Sequence, residues 1–245
     1  MCLMSVIIPC YNELDSIDLL HKKSIYITEN YDIEIIFVDN GSNDGTHKKF
    51  KSYVSNKKIK FFSIKNNKGY GYGIKKSINL CNGVYVGWTH ADLQTDLFDL
   101  IKAYNIIEKN ILEFNDEKLV VKGIRLGRPL KDKIFSQSMS IISSILFFPL
   151  STYEICAQPS IFHNSIKEEI QKAPDGYELD VYVFLAALIS GFVPRRFPVL
   201  FPTRVYGNSH WNINFISKVL FIRKIFSSLL DIFIKKRILS LKIFS

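Results

Sequence analysis

The segment Val84-Tyr85-Val86-Gly87-Trp88-Thr89-His90-Ala91-Asp92-Leu93-Gln94 carries the strongest signal for the fold, because an apolar run of strand length stops there at closely spaced polar side chains. The apolar half suits a strand, and the polar half then lies beyond its carboxyl end, where open α/β sheets bind ligands. His90, Asp92 and Gln94 alternate, so an extended segment would place all three on one side. These side chains predict a site for a metal and a phosphate, and a plain strand end leading to a helix cap at Asp96 is the alternative.

The sequence on both sides of this stretch alternates between strand-like and helix-like runs. Before it we predict strands at Met4–Pro9, Ile33–Asp39 and Ile59–Ile64, with helices from about Asp15 to Thr28, Thr46 to Val54 and Tyr72 to Cys81. After it we predict strands at Leu119–Gly123, Pro159–Phe162 and Pro194–Phe201, with helices from about Asp132 to Phe148 and Leu179 to Ser190. Repeated βα units predict an α/β fold with a mostly parallel central sheet covered on both faces.

Length and composition set the class of protein. A chain of 245 residues with 47% hydrophobic content can bury one sizeable core, and neither a repeat nor a linker divides it, so we expect one domain over 1–211. The four cysteines are scattered without a C-x-x-C pair, which argues against a zinc site or a disulfide framework. Reduced thiols and an N-terminus without a basic or long apolar segment predict a cytoplasmic protein without a signal peptide.

The positive charge is concentrated at the C-terminus. The formal net charge is +9, and residues 215–245 hold seven basic side chains and one acidic side chain, which leaves +3 for the rest. A basic tail rich in Phe and Ile predicts an amphipathic helix over 212–245 that lies on an anionic membrane surface, rather than a nucleic-acid-binding protein. We expect peripheral association with the inner face of the cell membrane, and an ordinary packed C-terminal helix is the alternative.

Polar loops follow several predicted strands. Asp39 ends a buried-looking strand and could hold ribose hydroxyls or a base edge, whereas Asp44 suits either the site or a turn and helix cap. The loop from Asn67 to Gly73 includes Gly69 and precedes a helix, which favours an anion without matching a P-loop. Because the carboxyl ends of parallel strands share one edge, we expect these loops to meet the metal segment.

Three later segments complete the candidate site. Arg125 and Arg128 follow a strand and could grip a phosphate, although surface arginines are commoner. Glu178 and Asp180 open an apolar helix, where a carboxylate could act as general base or simply favour the helix N-terminus. The segment around Arg204 suits a connecting loop or a mobile lid over a bound ligand.

In this order the segments resemble family 2 glycosyltransferases of the GT-A fold, and within them the dolichol-phosphate and polyprenyl-phosphate sugar synthases, over about residues 4–211. The stretch 5–13, SVIIPCYNE, is similar to V-I-I-P-x-Y-N-E, and the stretch 35–46, IIFVDNGSNDGT, resembles I-I-V-V-D-D-G-S-x-D-G-T. Gly123-Ile124-Arg125 matches G-x-R, and Arg204 with Gly207 resembles R-x-x-G. The resemblance implies a single Rossmann-like domain of the nucleotide-diphospho-sugar transferase type.

The resemblance also implies roles for individual residues. The nucleotide sugar would be bound by Pro9, Tyr11, Glu13, Asp39, Asn67, Gly69, Ala91 and Arg204. A divalent cation, Mg²⁺ or Mn²⁺, would be held by Asp92, Gln94 and His90. Arg125 and Arg128 would bind an acceptor phosphate, and Asp180, Glu178 and Arg125 would serve catalysis. The chain departs from the family pattern at His90, where D-x-D has its first Asp, and at Asn40, where a second Asp is frequent.

The implied activity is inverting, metal-dependent transfer of a sugar from a nucleotide sugar to a membrane-associated acceptor. The acceptor would be a polyprenyl phosphate, whose oxygen is already anionic, or a hydroxyl of a growing cell-surface glycan, which needs a base such as Asp180 or Glu178. A catalytically silent nucleotide-sugar-binding or scaffold protein of the same fold is the alternative, since His90 replaces an expected carboxylate. The sequence leaves the sugar, the base and the oligomeric state open.

Overall fold

The computed structural model describes residues 2–53, 57–114, 118–127, 140–202 and 215–234, without the side chains of 114 and 215–222. Seven strands form one sheet in the order β3-β2-β1-β4-β6-β5-β7. They are β1 (Met4–Cys10), β2 (Ile33–Asn40), β3 (Ile59–Ile64), β4 (Tyr85–Trp88), β5 (Leu119–Leu126), β6 (Ser160–His163) and β7 (Val193–Leu200). Only β6 runs antiparallel to its neighbours. The predicted mostly parallel α/β sheet is confirmed.

Helices cover both faces of this sheet. They are α1 (Leu14–Asn30), α2 (Thr46–Ser52), α3 (Tyr70–Ser77), α4 (Asp99–Phe114), α5 (140–146), α6 (Lys167–Lys172), α7 (Glu178–Ile189) and α8 (Phe215–Ile232). Neither α4 nor α6 was predicted as an element. Asp96, named above as a possible helix cap, accepts the backbone N–H of Phe98 on Oδ1 at 2.9 Å and the N–H of Asp99 on its carbonyl at 2.9 Å, as a residue that caps α4 does. The predicted helix from Asp132 is described only from residue 140.

The alternation of side chains along the strands creates two cores. In β2, Ile36 and Val38 pack on one face while Ile35 and Phe37 pack on the other, and all four are fully buried. Helices α1 and α4 close the face of Ile35, and α3, α7 and α8 close the face of Ile36. Polar groups are therefore left at the edge where the parallel strands end, which is where the candidate site lies.

Helix α8 packs on the protein. Its residues Ile225, Leu229 and Ile232 are buried in the same core as α7, whereas Phe226 and Leu230 are exposed. The apolar face predicted for a membrane is thus divided between the core and the surface, because α8 turns one side to α7. Among the described residues, no helix is both long enough and apolar enough to cross a membrane.

Candidate active site

The loops after β1 and β2 are joined by hydrogen bonds. The backbone N–H of Asn12 donates to Ser42 Oγ at 3.0 Å, and Asn43 N–H donates to Asn12 Oδ1 at 2.9 Å. Asn12 adopts a left-handed backbone with φ of 56°, which Asn tolerates better than most residues. This network holds Tyr11 and Glu13 of the first loop, together with Pro9 near the end of β1, beside the Asp39 loop. All three are partly buried.

Asp44 has a structural role in the same network. Its carboxylate accepts the backbone N–H of Leu14 at 3.0 Å and of Thr46 at 2.9 Å, and it also accepts the Thr46 hydroxyl. Burial raises the pKa of Asp44, but these hydrogen bonds outweigh burial and hold the pKa below its usual value. Of the two alternatives for Asp44, turn and cap chemistry is the one its contacts support.

Asp39 is 2% exposed at the carboxyl end of β2. Its Oδ1 accepts the N–H of Ser42 at 3.0 Å, and its Oδ2 lies 3.1 Å from Nδ1 of His47. The same imidazole nitrogen lies 3.0 Å from Ser63 Oγ. Sequence reasoning missed His47, whose only signal was its place one residue after the D-G-T turn. The contacts fix Asp39 at the rim with its carboxylate oriented from two sides.

The glycine-rich loop before α3 and the first turn of α3 pack closely against the loop before α7. Gly69 has a φ of +117°, and a Cβ there would overlap the carbonyl oxygen of Asp175. A Cβ on Gly71 would lie 2.5 Å from the carbonyl oxygen of Pro174. Asn67 Oδ1 accepts the N–H of Gly69 at 2.8 Å, so Asn67 shapes the loop. The glycines therefore bring the predicted donor loop next to α7.

The segment that carries His90, Asp92 and Gln94 is not extended. Residues 91–95 form bends, Leu93 has a left-handed backbone with φ of 59°, and Asp92 Oδ1 accepts the N–H of Gln94 at 3.1 Å. The extended conformation on which the argument from alternation depended is therefore absent, because the chain bends from Ala91 onward. Gln94 Nε2 donates to the carbonyl of Pro202 at 3.2 Å, and Ala91 is buried.

The donor set here limits how a cation could be bound. Among the described residues, no three His, Cys, Asp or Glu side chains lie close enough together to hold a metal. Mg²⁺ is commonly bound through one or two carboxylates together with substrate phosphates, and His is a competent ligand for Mn²⁺. Asp92 with His90 therefore fits a cation shared with a diphosphate, and does not form a cage built from protein ligands alone.

Asp180 lies at the centre of a buried polar network beside this segment. It is 5% exposed, and its Oδ1 accepts hydrogen bonds from Trp88 Nε1 at 2.6 Å and from Gln158 Nε2 at 3.0 Å. Gln158 Nε2 also lies 3.2 Å from the Tyr70 hydroxyl. Gln158 Oε1 is buried without a hydrogen-bond partner. Sequence reasoning assigned no role to Trp88, Gln158 or Tyr70, which come from three separate parts of the chain.

Burial dominates the electrostatics of this network. It raises the pKa of the Asp180 carboxyl, although the nearby Lys122 ammonium and the hydrogen bonds partly oppose it. Lys122 is 1% exposed, bonds Ser160 Oγ and lies 5.1 Å from the centre of the Phe184 ring. Burial lowers the pKa of Lys122 to about 8, against the attraction of Asp180. Sequence reasoning could have found Lys122 because it is a lysine within the apolar first half of β5.

Tyr70 joins the metal segment to this network. Its ring lies 6.2 Å from the His90 ring and stacks on Tyr177 with centres 5.1 Å apart. Burial raises its pKa well above the usual value, and the negative charges of Asp180 and Asp92 add to that effect. The structure thus brings together side chains that the sequence predicted separately for the metal and for the acceptor.

The predicted acceptor residues are described in part. Arg125 at the end of β5 is 10% exposed, and its Nε donates to Glu154 Oε2 at 2.7 Å. Glu178 is partly buried and its carboxylate folds back over Gly176. Arg128 and Arg204 lie outside the described residues. Sequence reasoning missed Glu154, which follows a region without a motif.

Comparison with known proteins agrees with this arrangement. Residues 5–142 match the family model described as glycosyl transferase family 2. Over 128 residues the chain is 33% identical to a dolichyl-phosphate beta-glucosyltransferase of Dictyostelium discoideum, covering 48% of this chain and 38% of that protein. It is 31% identical over 123 residues to the uncharacterised glycosyltransferase YfnE of Bacillus subtilis (strain 168), covering 49% and 29%. The matched regions span well under half the length of these relatives.

Solved structures show the same fold at low identity. Glucosyl-3-phosphoglycerate synthase from Mycobacterium tuberculosis, solved with Mn²⁺, UDP and glucosyl-3-phosphoglycerate, superposes with a TM-score of 0.66 at 16% identity. The comparison covers 94% of this chain and 79% of that one. A mannosyltransferase from Pyrobaculum calidifontis, solved with GDP-Man and Mn²⁺, gives a TM-score of 0.57 at 16% identity, covering 84% and 58%.

Proposed function

The chain belongs to glycosyl transferase family 2, and on that premise we propose that it transfers a sugar, with inversion, from a nucleotide sugar to a membrane-associated acceptor. The observation that carries the proposal is the position of Tyr70. Its ring contacts His90 of the predicted metal segment while its hydroxyl shares the Gln158 amide with Asp180. Donor and acceptor chemistry require such proximity, because the two substrates must react within one closed space.

The donor would lie across the carboxyl ends of β1, β2 and β4. Asp39, oriented by Ser42 and His47, would accept hydrogen bonds from the nucleoside. The loop of Asn67 and Gly69 would face the diphosphate. Asp92 and His90, with Gln94 beside them, would hold a divalent cation, which offsets charge on the leaving nucleoside diphosphate when it is bound.

The acceptor oxygen would attack the anomeric carbon as the bond to the diphosphate breaks, which inverts that carbon. We propose a polyprenyl phosphate as the acceptor, because Asp180 is almost fully buried and is engaged by Trp88 and Gln158, which makes it a poor match for a base that must reach an acceptor hydroxyl. A phosphate oxygen is already anionic and requires orientation rather than a base. Arg125 supplies a guanidinium suited to that oxyanion, and Asp180 would then orient neighbouring groups.

Exposed apolar side chains support a membrane-bound acceptor. Ile141, Ile145 and Phe148 are 59%, 72% and 73% exposed, and they line a groove together with Tyr153. Tyr153 immediately precedes Glu154, the partner of Arg125, so the groove begins beside the predicted phosphate site. Exposed apolar surface of this kind is typical of membrane or lipid contacts. We therefore propose peripheral attachment to the membrane, with the basic C-terminal segment as a second contact.

A thermal-unfolding screen tests this proposal. A ligand that binds only the folded protein raises its melting temperature, so UDP-, GDP- and dTDP-sugars should be compared with and without Mn²⁺. We expect one nucleotide class to protect the protein, and to do so only with the cation. Protection that is independent of the cation, and equal in Asp92→Ala, would point to the alternative of a silent binding protein. Absence of protection by every nucleotide sugar would contradict the proposal.

A further inference from the structure

Glu154 combines a left-handed backbone with a buried carboxylate. Its φ is +49°, a conformation that Glu rarely adopts, and its side chain is 6% exposed. Residues held in such conformations cluster at functional sites, where the surrounding structure enforces them. Here the carboxylate Oε2 accepts the Nε–H of Arg125 at 2.7 Å. The backbone carbonyl of Glu154 accepts the N–H of Ala157 at 2.9 Å, which closes the turn.

A second arginine holds the segment that presents Glu154. Arg196 in β7 donates from Nη1 to the carbonyl of Tyr153 and from Nη2 to the carbonyl of Ser151 at 3.2 Å. Its guanidinium also lies over the rings of Tyr153 and Phe184, at 5.8 and 5.4 Å. Residues 151–154 are therefore tied to the strand next to β5, the strand that carries Arg125. The sheet thus fixes both partners of the ion pair.

The bond orients the Arg125 guanidinium from one edge. Glu154 engages Nε, while Phe201 lies against the guanidinium with its ring centre 5.6 Å away. An arginine held at Nε has its two Nη nitrogens on the far edge, and these can donate to two oxygens of one phosphate. The bond to Nε and the Phe201 ring therefore restrict the plane of the guanidinium, and with it the direction in which the Nη edge can donate.

We infer that Glu154 is a positioning residue that aims Arg125 at the phosphate of the acceptor, and that Arg196 anchors it. The inference rests on the proposed function, because it concerns the acceptor side of the same site. It assigns roles to two residues outside the glycosyltransferase motifs of the sequence. The two possible effects of Glu154 have opposite signs. A carboxylate that only neutralised Arg125 would weaken the binding of an anion, whereas one that orients the guanidinium would strengthen it.

Two variants distinguish orientation from charge. Glu154→Gln keeps an oxygen that can accept the Nε–H but removes the negative charge, whereas Glu154→Ala removes both. The probe is farnesyl phosphate, titrated by calorimetry into the full chain, and thermal unfolding of each variant reports its folding. We expect Glu154→Ala to bind farnesyl phosphate about tenfold more weakly and Glu154→Gln to bind within about threefold of the wild type. Arg196→Gln should resemble Glu154→Ala.

The outcomes that overturn the inference are distinct. Equal or tighter binding in both Glu154 variants would show that the carboxylate only neutralises Arg125. Lack of farnesyl phosphate binding by the wild type would remove the phosphate role altogether. Metal-dependent protection by a nucleotide sugar, measured on the same samples, reports the donor site separately. If that protection persists while the Glu154 effect is absent, the inference fails and the donor side of the proposed function stands.

Discussion

Replacement of Lys122 by Met should stabilise the protein at pH 7. Lys122 is 1% exposed, and burial lowers its pKa from 10.5 to about 8. A shift of this size corresponds to about 3 kcal/mol of differential interaction between the two protonation states, and it opposes folding wherever the unfolded lysine is charged. Met has a similar length and suits the face of the Phe184 ring. Ser160 keeps its bond to the carbonyl of Ala157.

The effect of Lys122→Met on stability should depend on pH. Between about pH 8 and 10.5 the unfolded lysine holds a proton that the folded one has lost, so the stability of the wild type rises relative to the variant. The advantage of Lys122→Met should therefore be full, about 3 kcal/mol, below pH 8 and should close as the pH approaches 10.5. Taking the difference between the two proteins removes the titration of groups that the Lys122 charge does not influence. The pKa values of Asp180 and Cys156, which that charge lowers, should rise in the variant.

Urea unfolding, followed by circular dichroism from pH 7 to 10, measures this difference. Lys109→Met is the matched control, because Lys109 is 72% exposed and its ion pair with Glu113 is superficial. We expect the control to change the free energy of unfolding by less than about 0.5 kcal/mol at every pH. A Lys122→Met protein that is less stable than the wild type at pH 7, or whose advantage does not depend on pH, would refute the reasoning.

Three further predictions follow from single contacts. Gly69→Ala should lower the free energy of unfolding in urea by about 1–3 kcal/mol, because φ is +117° and the new Cβ overlaps a backbone carbonyl. Trp88→Phe should lower the free energy of unfolding by about 1–3 kcal/mol, because Asp180 loses a 2.6 Å hydrogen bond in a buried site. Unchanged stability would show that this hydrogen bond does not support the buried carboxylate. Arg223 and Lys224 are both exposed on α8. The double variant Arg223→Glu and Lys224→Glu should bind anionic liposomes about tenfold or more weakly in flotation assays, because its charges repel the surface, while binding to neutral liposomes stays the same.

The liposome test uses substitutions because of how α8 packs. Deletion from Phe215 onward would also remove Ile225, Leu229 and Ile232 from the core. Loss of membrane binding in such a truncated protein would not separate a membrane contact from a damaged fold. Exposed charges on the same helix can be reversed without touching that core.

The fold was largely predictable because its signal is local. Buried parallel strands are mostly apolar, as in the run from Ile35 to Val38 of β2, and the polar loops after them mark the rim. Helix α7 was predicted for the same reason, since its residues from Leu179 to Leu188 are all buried. The extent of helix α4 was not predicted, although Asp96, named as a possible helix cap, accepts the N–H of Phe98 just before that helix begins at Asp99.

The candidate site was predictable only where a motif marked it. Asp39, Asp92 and Asp180 each belong to a recognisable segment, and the structure brings the last two near Tyr70. Gln158 and Glu154 could not be predicted, because their roles depend on partners 22 and 29 residues away. The direction of the side chains after β4 was also beyond the sequence, since it depends on the left-handed backbone of Leu93.

The most direct test of the central claim is transfer of a radiolabelled sugar. The wild type and Asp92→Ala would each be incubated with Mn²⁺, an undecaprenyl phosphate acceptor and the nucleotide sugar that protects the wild type from thermal unfolding. We expect label to pass to the lipid with inverted anomeric configuration, and Asp92→Ala to reduce the rate by at least about a hundredfold while remaining folded. Transfer at the wild-type rate by Asp92→Ala, or no transfer by the wild type, would contradict the central claim.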